Sequence, residues 1–417
     1  SGLFSGRIPF AWYAYTHYIS GVKYGNIDLK PDSTLPLVAD PAQLQTLQPG
    51  LTEINLVHED FKLPREWRSS LAYDVEVNKN WSITAEAIFS KSISAIQFQS
   101  INLKDSTAQY LGADDRSYYL GSSTDRKVNE SFTNVFVLTN TNQGYSYNLS
   151  LSSKWKILES LDLGAAYNYG VSKDISNGVR NSMAANFNWN QAVNSNNPDL
   201  SFSNFDLRHR IVATTNFKHS FGNRQMSFFN VFFSARSGSP FSFTYAGDLN
   251  RDGSSKNDLI YIPKNEDEIE LTDIMDANGA VLVSKEEQWE QLNEYIEGND
   301  YLSKNRGDYA MRNGARTPWN FKIDIRLAHK IYLQDEFKGK HFELTLDIFN
   351  FANLISHKWG LQRFVPNVTN SSYQLLEFED VVNGTPSFQF NNPSGNPWQI
   401  DPFNSRWQAQ FGLRYTF

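Results

Sequence analysis

Three features of the sequence together predict an all-β fold: a transmembrane antiparallel β-barrel carrying long extracellular loops. The first is composition. The chain has 417 residues, of which 30 are Phe, 20 Tyr and 10 Trp, yet its mean hydropathy is only -0.49. A soluble core is built mostly from Leu, Ile and Val. Aromatic-rich and polar overall is what a barrel with an apolar outer face, a polar lumen and aromatic girdles requires. The second is strict two-residue alternation in segment after segment. The third is an alternation of short and long connections between those segments.

The alternation runs along the chain in order. A first strand is expected near Arg7 to Tyr18. Leu71, Tyr73, Val75 and Val77 share one face, and after Asn78-Lys79-Asn80 the pattern resumes at Trp81, Ile83, Ala85, Ala87 and Phe89. Tyr145, Tyr147, Leu149 and Leu151 alternate with Ser146, Asn148, Ser150 and Ser152. Leu161, Leu163, Ala165, Tyr167 and Tyr169 follow. Phe321, Ile323, Ile325 and Leu327 alternate with Lys322, Asp324 and Arg326, and Phe342, Leu344, Leu346 and Ile348 with Glu343, Thr345 and Asp347. The last strand places Trp407, Ala409, Phe411, Leu413, Tyr415 and Phe417 on one face and Gln408, Gln410, Gly412, Arg414 and Thr416 on the other. About eleven alternating residues cross a bilayer when tilted. One such strand also suits a half-buried soluble sheet. Eight or nine, with ionic residues on the minority face, suit a barrel. About nine strands are expected from Arg65 onward, with the tenth near Arg7 to Tyr18.

The short connections lie near residues 78–80, 155–161, 219–225 and 329–340, and the long ones near 103–131, 173–205, 238–316 and 353–404. Tight periplasmic turns and large external loops alternate in this way in outer-membrane barrels. The order of connections also predicts a periplasmic C-terminus. A propeller would show blades repeating every 40–50 residues or so, and no such repeat occurs.

Other classes fall away. No run of 18 apolar residues exists, so no membrane-spanning helix is expected. The absence of cysteine excludes a disulfide scaffold or thiolate metal site. A net charge of -7 offers no footprint for nucleic acid. Ser1 to Gly6 lacks the charged and apolar regions of a signal peptide, so the chain is read as mature or as starting within a longer protein.

Several local motifs, in their order and spacing, resemble the C-terminal part of TonB-dependent outer-membrane receptors, in particular the Oar-like group common in Bacteroidota. They are Gly6-Arg7-Ile8-Pro9-Phe10, Asp206-Leu207-Arg208-His209-Arg210, Ser237-Gly238-Ser239-Pro240-Phe241, Gly247-Asp248-Leu249-Asn250-Arg251-Asp252-Gly253, Asn257-Asp258-Leu259-Ile260-Tyr261-Ile262-Pro263, Pro318-Trp319, Asp347-Ile348-Phe349-Asn350-Phe351-Ala352-Asn353 and the terminal Phe417. The resemblance spans essentially the whole chain. It implies about ten C-terminal strands of a probable 22-stranded barrel, with the other strands and an N-terminal plug on a missing or separate piece. It also implies energised import of a scarce, large substrate, with TonB acting through the plug and a surface lipoprotein as a further partner. Such a chain is no enzyme. A passive porin or adhesin-type barrel is the alternative, and a ten-stranded outer-membrane hydrolase a third.

One constellation carries chemistry of its own. Asp248, Asn250 and Asp252 alternate ahead of Gly253, as oxygen ligands do at the start of a calcium loop, and Ser254 and Asp258 are candidate further ligands. The pattern departs from an EF-hand in having Leu259 at the twelfth position. The ordinary alternative is an Asx-rich turn, with Lys256 as the internal counter-charge. Arg208-His209-Arg210 is read as rim electrostatics. Asp114-Asp115 and Glu266-Asp267-Glu268 are read as solvated loop faces. Within loop 238–316, Asp276-Ala277-Asn278-Gly279 predicts a hairpin turn. Ser284-Lys285-Glu286-Glu287 predicts a helix start, with Trp289, Leu292 and Ile296 on one face and Gly298 at its end. That face must be covered by other loops or by a partner.

Overall fold

The computed structural model describes residues 1–18, 52–106, 108–176, 178–366, 372–393 and 395–417. Among the described residues, ten strands form the main path of one antiparallel sheet: β1 (Gly2–Ser5), β2 (Arg65–Asn78), β3 (Trp81–Ser100), β4 (Tyr145–Leu158), β5 (Leu161–Asp174), β6 (His209–Phe221), β7 (Gln225–Arg236), β8 (Asn320–Tyr332), β9 (His341–Phe349) and β10 (Gln408–Thr416). Each pairs with its chain neighbour, and the sheet does not close on itself: β1 and β10 are its two edges. All the short connections, β2–β3, β4–β5, β6–β7 and β8–β9, lie at one end.

The register carries the alternation across the sheet. Phe411 pairs with Leu346 and Leu413 with Leu344. Ile348 pairs with Ile325, Ile325 with Val231, and Val231 with Thr215. Leu163 pairs with Trp155, Trp155 with Trp81, and Ala87 with Leu71. Because side chains alternate strictly, these pairs build one continuous apolar face. Leu71 is 75% exposed and Phe411 72%, which is tolerable only if something other than water covers them.

Two aromatic bands border this face. At the short-turn end Trp81 lies 6.3 Å from Trp155 and Phe342 4.7 Å from Tyr415. At the long-loop end Tyr147 lies 6.1 Å from Tyr169 and His209 5.7 Å from Trp319. From Trp155 to Tyr145 is about ten residues, roughly 33 Å along the strand. A 40° tilt makes that about 25 Å in height, the thickness of an outer-membrane apolar band. The opposite face is ionic. Arg326 pairs with Asp347 at 3.5 Å and Lys330 with Glu343 at 4.0 Å, both directly cross-strand.

The strand expected near Arg7 to Tyr18 is corrected. The tenth strand is Gly2–Ser5, which pairs with Arg65–Arg68, while Phe10–Tyr18 is a helix. Pro9, with its fixed φ and missing N–H, suits a helix start. Packing then decides the outcome: Trp12 is wholly buried, edge-on to Phe98 at 5.1 Å, and donates through Nε1 to the Arg180 carbonyl at 2.8 Å. Phe136, Leu138, Met183 and Phe187 complete this small core, which forms around the long-loop end of β3.

The long connections are folded. Strands Pro240–Ala246, Ala315–Arg316, Ser372–Val382, Thr385–Gln389 and Glu270–Leu271 form a second, mixed sheet around the largest buried apolar cluster, which includes Phe241, Phe243, Tyr245, Ile260, Ile262 and Phe388. The helix expected after Ser284 spans Lys285–Glu297. Ser284 Oγ accepts from the Glu287 N–H, and Gly298 caps the other end. Its buried residues are Gln288, Leu292 and Ile296, with Trp289 only partly buried. Gln288 takes the inner position because it stitches the helix to the sheet. It donates to the Thr272 carbonyl at 2.8 Å and accepts from the Phe390 N–H at 2.9 Å. The apolar face is therefore covered by other loops of the same chain. No helix among the described residues is long and apolar enough to cross a membrane, which leaves crossing by strands untouched.

Candidate functional site

The segment from Asp248 to Asp258 lies where all four long loops meet. It leaves the strand Pro240–Ala246 through Gly247. Loop 103–131 reaches it through the Tyr119 N–H, 3.0 Å from the Asn250 carbonyl. Loop 173–205 reaches it through the Ala192 N–H, 2.9 Å from the Asn257 carbonyl. Loop 353–404 reaches it through Gln374, which donates to the Ser255 carbonyl at 3.1 Å.

The turn winds through chained side-chain acceptors. Asp248 Oδ2 accepts from the Gly253 N–H at 3.0 Å, Asn250 Oδ1 from the Asp252 N–H at 2.9 Å, and Asp252 Oδ1 from the Ser254 N–H at 2.7 Å. Arg251 (φ 61°) and Gly253 (φ 100°) both adopt left-handed backbone. Glycine is needed at the latter, where a side chain would be strained.

Of the five residues expected as calcium ligands, Ser254 and Asp258 are engaged elsewhere. Ser254 Oγ donates to the Asn188 carbonyl at 2.6 Å. Asp258 is claimed by Arg116, 3.3 Å from its Oδ1, while its Oδ2 accepts from the Leu249 N–H at 2.9 Å. Among the described residues no group of three or more His, Cys, Asp or Glu is placed to hold a metal ion. Nor is Lys256 the counter-charge: its ammonium sits over the Trp189 ring at 5.6 Å, because the buried side of the loop is already occupied by Arg116.

Arg116 is the residue that sequence reasoning missed. Its side chain is wholly buried. It grips Asp114 through both carboxylate oxygens, at 2.8 and 2.9 Å, donates to the Leu259 carbonyl at 2.6 Å, and is faced by the rings of Tyr245 and Tyr309 at 5.1 and 5.3 Å. Burial works against its charge, yet Asp114, Tyr245 and Asp258 more than offset that and keep it protonated. Asp114 is therefore not a solvated loop acid. It is a buried partner that also accepts from Tyr245 Oη at 3.0 Å. Glu266 and Asp267 do remain exposed. A lone Arg directly after an acid pair carries no sequence signal of burial; only the tertiary fold brings Asp258 to it.

Burial raises the carboxyls of Asp252 and Asp258 above the ordinary range and lifts Asp248 to about 6, where the Asp252 charge adds to the effect. Arg126 stands 3.6 Å from Asp248 Oδ2. Asp252 has only neutral donors: Asn257 at 2.8 Å, Asn250 at 3.3 Å and the Ser195 hydroxyl.

The segment Asp206 to Arg210 is held by ion pairs and a hydrogen bond. Arg208 and Arg316 both bind the buried carboxylate of Asp206. His209 Nδ1 meets the Tyr167 hydroxyl at 2.7 Å within the upper aromatic band.

The sequence profile of a family described as an outer membrane beta barrel domain matches residues 7–372. No curated protein is similar enough in sequence to count as a match. Among solved structures, the outer membrane transporter YddB from Escherichia coli aligns with a TM-score of 0.39 and 11% identity over 88% of this chain and 34% of its own. The chain thus spans about a third of that transporter's length. The CymD monoaromatic hydrocarbon channel aligns with a TM-score of 0.18 and 10% identity, over 69% of this chain and 60% of its own.

Proposed function

The chain belongs to the outer membrane beta barrel domain family, and from that premise we propose that it supplies the C-terminal barrel strands of a TonB-dependent importer for a scarce, large substrate. The observation that carries the reading is an open ten-strand sheet beneath a large folded loop assembly. In hydrocarbon every backbone N–H and C=O must be paired, so the outer edges of β1 and β10 need neighbouring strands. A barrel of about eight to ten strands has an interior that side chains nearly fill, whereas a 22-stranded one encloses a lumen that a plug must close. The charged lumen face, with Arg326, Lys330, Glu343 and Asp347, suits water and a polar plug better than a packed core. The loop assembly then forms part of an extracellular entrance, on which a surface lipoprotein has a place to sit. The chain's part in this is structural and transport-related, not catalytic. The short turns, and with them the C-terminus, face the periplasm.

The test is energy dependence. Cells carrying the complete protein should accumulate its substrate only while TonB and the proton gradient are intact, and the purified protein should conduct little in a planar bilayer. Steady ion conductance without TonB would overturn the importer and favour a passive porin-type barrel.

A further inference from the structure

We propose that the Asp248–Asn257 turn binds a divalent cation of the calcium class, using oxygens of Asp248, Asn250, Asp252 and Asn257, while Asp258 stays with Arg116. Two independent observations point to it. The first is unbalanced charge. Arg116 is shared between Asp114 and Asp258, and Arg126 stands near Asp248. Asp252, only 4% exposed, has no cationic partner among the described residues. A buried carboxylate held only by hydroxyl and amide donors carries a large desolvation cost that a cation would relieve.

The second is unmet oxygen. Asn257 is fully buried, and its amide reaches into the cluster, where Nδ2 bonds Asp252 and Ser195 at 2.8 and 3.1 Å. Its Oδ1 has no partner among the described residues, and the same holds for the buried Oδ1 of Asp248. A half-turn of the Asn257 amide, exchanging Nδ2 for Oδ1, would bring two unpartnered oxygens to the side of a carboxylate without a cation, which is hard-ligand chemistry. Calcium accepts such mixed sets of carboxylate, amide, carbonyl and water oxygens with six to eight ligands, whereas magnesium demands a stricter octahedron. Because the turn joins all four long loops, the cation would lock the loop assembly and not merely one hairpin. The inference does not depend on the import reading, since it concerns only this turn.

The experiment uses the full protein in detergent with terbium as probe. Trp189 lies close enough to sensitise it, as its ring faces Lys256 and its neighbour Asn188 bonds Ser254. Sensitised emission should saturate, and calcium should displace it more effectively than magnesium. Asp248→Asn combined with Asp252→Asn, which keeps side-chain size, should weaken binding at least tenfold; exposed Asp267→Asn should leave it unchanged. Retained heat-modifiable migration on a gel confirms a folded barrel. If the double variant does not fold, Asn257→Leu serves in its place and should also weaken binding. Absence of sensitised emission and of calcium heat in the unaltered protein, or equal affinity in the variants, would overturn the site.

Discussion

At the residue scale, position on the sheet decides what a side chain is worth. Phe411 faces outward in β10 and Gln410 inward beside Asp347. Phe411→Arg should cost about 2–4 kcal/mol in lipid, by the depth scale for barrel strands, and Gln410→Arg little. Unfolding in lipid vesicles measures both, and equal losses would refute the register. Arg116 gives the opposite lesson, since it is charged and wholly buried. Arg116→Met leaves Asp114 and Asp258 buried without a cation, which should cost about 3–5 kcal/mol. Hydrogen exchange should locate that loss in the loop assembly, with β2 to β10 unaffected; a loss spread evenly over the sheet would refute a role for Arg116 confined to the loops. Gly238 is needed for a different reason: a Cβ there would stand 1.7 Å from the Thr317 carbonyl, so backbone approach and not charge dictates the residue.

At the scale of elements, the helix Lys285–Glu297 shows how a local signal and a tertiary one combine. Ser284 starts it, as its side chain accepts from the Glu287 N–H at 3.2 Å. Ser284→Ala should cost about 1 kcal/mol. Gln288→Leu should cost more, about 1–3 kcal/mol, because the buried Phe390 N–H loses its acceptor. Protease sensitivity of loop 238–316 ranks the two, and the reverse order would show that the cap outweighs the stitch. The strands behave differently from the helix. Their alternation alone assigns faces, and β3 runs on for twenty residues because its outer end, Ala95–Ser100, has a second partner in Phe132–Thr141.

At the scale of the whole molecule, the two ends of the sheet meet different surroundings, and a chain without native cysteine lets that be read directly. Asp267→Cys, in the exposed loop assembly, should react with a membrane-impermeant maleimide on intact cells. Lys79→Cys, in the β2–β3 turn, should react only after the outer membrane is opened. The reverse pattern would invert the orientation proposed for the barrel.

The sequence by itself determined the membrane-spanning strands from Arg65 onward, their faces and the long or short character of each connection between them. A two-residue period and an apolar bilayer leave one solution for strands such as Phe342 to Ile348, and a one-residue slip would turn Glu343 and Asp347 into lipid. It also marked the Asp248–Asp252 turn, the hairpin after Asp276 and the helix after Ser284, because those depend on neighbours in sequence. Only the tertiary structure decided that Phe10–Tyr18 is helical, that Gln288 and not Trp289 turns inward, and that Arg116 takes Asp258. Each of those outcomes rests on contacts between residues far apart in the chain: Trp12 with Arg180, Gln288 with Phe390, Arg116 with Asp258. Periodicity reports which face is apolar; it holds no information about which distant group will satisfy a buried hydrogen bond or charge.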